Sequence, residues 1–198
     1  MSGIAGFCDF TRDNTSPRWT GAGEKMGQIL APYGGGHRGQ WACPESVLVY
    51  RGSGEGSQPL ERPLGTARYA VSFTGKLEDA DRTRRFLRSQ GYRFTTDTDA
   101  EVLLYACMEF DREVVERLEG GYAFALWDGL RGKLLAGRGR NGTEKLFYVN
   151  CKDALVFSSE EEALWAYPAE EERAEGRQLH PGEWLVFDRN GIRTGGGG

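Results

Sequence analysis

Residues 121–128 read Gly-Tyr-Ala-Phe-Ala-Leu-Trp-Asp. A strand turns successive side chains to opposite faces, so one that floats on a core alternates apolar with polar. This run does not alternate. Tyr122, Phe124 and Leu126 load one face, while Ala123, Ala125 and Trp127 load the other. A strand apolar on both faces must be covered on both. The segment therefore predicts two sheets stacked face to face, with helices outside them.

The neighbouring pattern supplies those layers. Strands are expected at 3–10, 46–50, 66–73, 133–138, 146–150, 154–158 and 183–188, separated by turn residues. Helical spacing places Met26, Ile29 and Leu30 on one side of a helix at 22–31, ended by Pro32 and glycines. A second helix is expected at 79–90, with Asp79 at its N-cap and Gly91 as its stop. Leu103, Cys107, Phe110, Val114 and Leu118 recur at spacings of four, three, four and four, one helix face broken near Asp111. A short helix is expected at 160–167. Strands first, then helices, then many strands make an α+β fold with mostly antiparallel sheets. One domain over 1–194, followed by a glycine tail at 195–198, accommodates all 198 residues.

Composition narrows the function classes. Lys and Arg total 25 against 29 Asp and Glu, a net charge of −4, which argues against a dedicated nucleic-acid binder. No apolar run approaches the ~20 residues that span a bilayer, and residues 1–7 lack a basic, apolar leader. A cytoplasmic location away from membranes is the expectation. Cys8, Cys43, Cys107 and Cys151 are scattered, and His37 and His180 are the two imidazoles. That spacing builds no zinc site, so no metal is expected, and the thiols should be free and mostly buried.

Chemistry enters with motifs spread along the chain. They run through Ser2-Gly3-Ile4-Ala5-Gly6-Phe7, His37-Arg38-Gly39, Ser57-Gln58-Pro59-Leu60 and Phe73-Thr74-Gly75. They continue through Gly91-Tyr92-Arg93-Phe94, the 96–102 segment and the 118–128 segment. Arg138-Gly139-Arg140, Lys145-Leu146-Phe147-Tyr148, Phe157-Ser158-Ser159-Glu160 and Leu179-His180-Pro181-Gly182 complete the series. In this order they resemble the class II glutamine amidotransferase domain, most closely that of asparagine synthetases. The resemblance implies a four-layer αββα sandwich of the N-terminal nucleophile hydrolases. It implies glutamine, or a similar amino acid, as ligand, and no cofactor.

In that family the second residue is a Cys, freed by removal of Met1. Its thiol attacks the glutamine amide, its own α-amine serves as base, and ammonia leaves before water releases glutamate. Here the position holds Ser2, whose hydroxyl needs far stronger base assistance than a thiol. Thr74-Gly75 stands where the family has Asn-Gly, the oxyanion hole. Losing one such donor costs ~10²–10³ in rate. Arg51, after the 46–50 strand, matches the family's Arg for the substrate carboxylate, or is an ordinary surface Arg. Asp99 matches the acid that holds the α-ammonium, and also suits an N-cap for the helix at 100–110. A further departure is Gly139, where the family has Asp between two arginines, and the turn at 141–144 differs too.

Other features read as structural. Arg82, Arg84, Arg85 and Arg88 suit a solvated helix face, as do the acidic runs 160–162 and 170–172. The glycines at 34–36 lack the Gly-Lys-Ser/Thr of a phosphate loop. His37 is read as structural near the site, and Trp127 as core. Two functions remain. One is a weak or inactive glutaminase domain, supplying a synthetase-type partner in trans because no Ser-Gly-Gly-x-Asp-Ser loop is present. The other is a degenerate binding or interaction module without turnover.

Overall fold

The computed structural model describes residues 1–34, 36–53, 56–169 and 174–197. Two antiparallel six-stranded sheets form the middle of the molecule. The first runs β10 (Arg177–Gln178), β8 (Phe147–Cys151), β9 (Ala154–Ser158), β1 (Ser2–Asp9), β3 (Ser46–Gly52) and β2 (His37–Cys43). The second runs β12 (Gly191–Gly196), β11 (Glu183–Asp188), β7 (Lys133–Arg138), β6 (Gly120–Asp128), β5 (Ala67–Leu77) and β4 (Leu60–Leu64).

Three apolar layers hold the stack together. Between the sheets lie Ile4, Leu48, Tyr50, Leu155 and Phe157 of the first sheet against Ala70, Ala123, Ala125, Trp127 and Ala136 of the second. Outside the first sheet, α1 (Pro17–Ile29) and α5 (Glu161–Leu164) cover Ala5, Phe7, Val47, Val49 and Val156. Outside the second, α2 (Ala80–Ser89), α3 (Asp99–Phe110) and α4 (Val114–Arg117) cover Val71, Phe73, Phe124 and Leu126. The strand at 120–128 thus sits between the inter-sheet core and the helix-covered core, as its doubly apolar pattern requires. The four-layer αββα arrangement is the one expected.

The break near Asp111 is real. Asp111 has φ 53°, a 3-10 turn follows, and Lys133 Nζ grips its carboxylate at 2.6 and 2.8 Å. Pro at the first position starts α1 at residue 17, five residues before the expected boundary. Asp79 does occupy the N-cap position of α2, without a side-chain capping bond. The helix expected at 160–167 shortens to one turn.

Other expectations change. Strands β2, β4, β10 and β12 were not foreseen, and the first two glycines of the expected tail lie in β12. Gly195 and Gly196 pair with Trp184 and Glu183 in β12. A Cβ on Gly195 would lie 2.5 Å from the Trp184 ring, so glycine lets the last strand lie under that indole. Arg84 also leaves the solvated face assigned to it. It is buried, donating to Asp81 and to the Asp97 carbonyl at 2.8 Å each. The acidic residues 170–172 and Gly35 lie outside the described residues. Cys8, Cys43 and Cys107 are free and buried, and burial pushes the Cys43 thiol up to about 12.

Candidate active site

The first residue of β1 and the middle of β5 meet at one rim of the sandwich, each from its own sheet. On β1, Ile4 and Cys8 point between the sheets, and Ser2 shares their parity. On β5, Ala70 points between the sheets, and Thr74 shares its parity. Ser2 Oγ and Thr74 Oγ1 accordingly lie 2.7 Å apart. Glycine makes the approach possible. A Cβ on Gly52, the strand partner of Ser2, would fall 2.4 Å from Ser2 Cβ. Gly75 has φ +96°, and a Cβ there would sit 2.1 Å from the Gly121 carbonyl. Position 75 therefore tolerates only glycine.

Thr74 is almost fully buried, and its hydroxyl is heavily engaged. Its Oγ1 lies 2.7 Å from the Ser2 carbonyl and 2.9 Å from Glu144 Oε2. A hydroxyl has one proton. When Thr74 donates it to Glu144, the Ser2 hydroxyl donates to Thr74, and Ser2, Thr74 and Glu144 form a chain of hydrogen bonds ending on a carboxylate. Tyr33 lies on the α1 side of β1, its ring close over Gly3. Burial raises the Tyr33 pKa, helped by its hydrogen bond to Glu160 and by the charges of Glu160 and Glu144.

Sequence reasoning missed Glu144. It lies in the turn that departs from the family pattern, and no local signal pointed from it to Ser2, 142 positions away. The turn is pinned from both sides. Buried Arg138 donates to the carbonyls of Leu179 and Gly142. Thr143 packs onto Gly121, where a Cβ would meet its Oγ1 at 2.0 Å.

The expected substrate-holding residues part company. Asp99 is the first residue of α3, not its cap. Thr98 is the N-cap, its side chain accepting from Glu101 N. The Asp99 carboxylate instead accepts from Leu77 N at 2.9 Å, three residues along β5 from Thr74. Arg51 is not brought to Ser2. It pairs with Gly3 of β1, whose parity faces α1, and its Nε donates to the Gly27 carbonyl of α1 at 3.0 Å. The sheet separates it from Ser2, because side chains one position apart on a strand point to opposite faces. His37 is exposed, in the same cross-strand row as Gly52 and Ser2.

Comparison with known proteins agrees with this geometry. The family model described as "Glutamine amidotransferase domain" matches residues 1–182. Asparagine synthetase [glutamine-hydrolyzing] 3 of Bacillus subtilis is 31% identical over 173 residues, covering 85% of this chain and 28% of that protein. Amidase chry2 of Gibberella zeae is 25% identical over 201 residues, covering 94% of this chain and 29% of that protein. Among solved structures, the glutamine phosphoribosylpyrophosphate amidotransferase of B. subtilis superposes with a TM-score of 0.75 at 20% identity. The match covers 98% of this chain and 49% of that one, and at such identity it speaks for the fold. The chain thus spans under a third of the curated relatives it matches. A sandwich whose two sheets bring residue 2 against β5, in a sequence matched by the family over 182 residues, belongs to the class II glutamine amidotransferase domains.

Proposed function

We propose that this chain is a glutamine amidotransferase domain of the asparagine-synthetase type whose glutaminase rate is low or nil. Ser2 holds the nucleophile position, Thr74 and Gly75 the oxyanion positions, and Asp99 the position that takes the α-ammonium. Arg51 has no part in this site. The domain acts in the cytoplasm beside a synthetase-type partner in trans, which receives whatever ammonia it releases.

The observation that carries the reading is the chain from Ser2 through Thr74 to Glu144. An oxyanion hole works by aiming hydrogen-bond donors at the place where negative charge develops. Here the one hydroxyl at that place is committed to oxygens already present, and one of those belongs to a carboxylate. Ser2 gains no acidity from donating to Thr74, because a threonine hydroxyl is no base at neutral pH. The nucleophile is weak, and the donor that should help it is occupied.

The test begins with the mass of the N-terminus, since only loss of Met1 exposes the α-amine of Ser2. Glutamate release from glutamine is then followed for the natural chain and for Ser2→Cys. The expectation is little or no release from the natural chain and measurable release from Ser2→Cys. Robust turnover by the natural chain would overturn the reading. If neither protein binds glutamine, the alternative stands: an interaction module built on an amidotransferase fold.

A further inference from the structure

A second cleft opens on the opposite side of the first sheet. It lies between α1 and the edge pair β2–β3, has a volume of about 480 Å³, and is lined by Gly27, Gln28, Arg38, Gln40 and Arg51, with Glu24 also on its wall. Glycines create it. Gly23 and Gly27 face the sheet from α1, and a Cβ on Gly23 would fall 2.5 Å from Gln40 Oε1.

Two arginines give the cleft its character. Arg38 and Arg51 are direct partners in the β2–β3 register, so both side chains leave the same face of the sheet side by side. Like charges directly opposed across two strands are destabilising. Neither guanidinium is within ion-pair distance of a carboxylate among the described residues, Glu24 included. Arg51 is held in place by its Nε bond to the Gly27 carbonyl, which leaves its two terminal nitrogens to the cleft. The Gln40 amide is likewise fixed by donation to the Thr20 carbonyl. A pre-positioned guanidinium, a second one beside it and a polar wall form a receptor for a doubly charged oxyanion, which a guanidinium fork binds bidentately.

We propose that this cleft is a binding site for a small dianion, one carrying a phosphate group or a pair of carboxylates. It is separate from the Ser2 site, with the β-sheet between them, and is independent of whether that site turns over. Its occupant offsets the Arg38–Arg51 repulsion and fastens the edge strand β2 to α1.

Calorimetric titration of the full chain tests this, with inorganic phosphate in one arm and succinate in the other, against chloride at matched ionic strength. One-to-one saturable binding is expected, with half-saturation at or below about 1 mM. Tighter phosphate identifies the tetrahedral source, and tighter succinate the dicarboxylate. Arg38→Gln, at an exposed position on an edge strand, is expected to weaken binding at least tenfold without loss of fold. Arg82→Gln removes the same charge from the exposed face of α2 and is expected to change binding less than twofold. Absence of saturation by either anion, or binding undiminished in Arg38→Gln, would overturn the proposal. So would equal losses in Arg38→Gln and Arg82→Gln, since that marks a general charge effect.

Discussion

Two acceptors compete for the single proton of Thr74, and this competition sets what Ser2 can do. Glu144 places a negative charge one hydrogen bond from the hydroxyl that should stabilise an oxyanion. In a Ser2→Cys background with Met1 removed, Glu144→Gln is therefore expected to raise kcat about tenfold, as a nearby like charge is lost from the transition state. Thr74→Asn in the same background is expected to return about 10²-fold, the usual worth of one oxyanion donor. Glutamate release at saturating glutamine measures both, and a KM that moves while kcat stays fixed would refute the assignment. At this scale the sequence placed Ser2, Thr74 and Gly75 together, because each occupies a motif position fixed by its strand. For Arg51 it left two readings open, a carboxylate ligand and an ordinary surface residue, because one position along a strand reverses the face. Asp99 reached the end of β5 by its place on α3, yet its bond to Leu77 N was invisible without the fold.

The corner joining β4 to α3 turns on one side chain. Glu101 is fully buried, and its carboxylate accepts from Thr95 N and Thr96 N while pairing with Arg62 at 2.9 Å. Burial works to raise its pKa and is the largest single influence. Hydrogen bonds from Thr96 and Thr95 and the Arg62 guanidinium together outweigh it, so the carboxyl titrates below its ordinary range. A lowered folded pKa gives stability that is full above the unfolded value, about 4.3, and is lost as pH falls through the folded one. Urea midpoints measured from neutral to acid pH should fall below that value in the natural chain, and less steeply in Glu101→Gln. Glu101→Ala, which leaves Arg62 without its partner, should cost about 3 kcal/mol at neutral pH. Most elements were legible because helices and interior strands advertise their cores. The missed strands have weaker signatures. β2 carries His37, Arg38 and Gln40 at an edge, β4 contains Pro63, and β12 runs through glycines. Edge strands bury too few side chains to alternate clearly, and Pro and Gly mark them as loops.

Since Ser2 belongs to one sheet and Thr74 to the other, the site exists only while the two layers keep their spacing. The first sheet brings Tyr50, Leu155 and Phe157 to the layer between them, and the second brings Ala70, Ala123, Ala125 and Ala136 beside the larger Trp127, Leu185 and Phe187. This stacking was foreseeable from the doubly apolar strand at 120–128, but which small residues face which large ones was not, because sheet order is a long-range property. The alanines offer a test of the whole arrangement. Ala123 is the direct strand partner of Thr74, whereas Ala70 partners Trp127, four residues back along β5. At about 3.4 Å per residue that is roughly 14 Å from the site. Enlarging either one overpacks the same inter-sheet core, so Ala123→Leu and Ala70→Leu should each cost about 1–3 kcal/mol in denaturant unfolding. Their effects on the site should diverge. Ala123→Leu wedges the sheets apart beside Ser2 and Thr74, and is expected to abolish glutamine binding and the turnover gained by Ser2→Cys. Ala70→Leu should leave both within about twofold, because changes more than about 10 Å apart with no shared partners act independently. Equal loss of binding in the two variants would mean that the sandwich responds as a single rigid body. The Ser2–Thr74 contact would then report the stability of the molecule rather than the local distance between its layers.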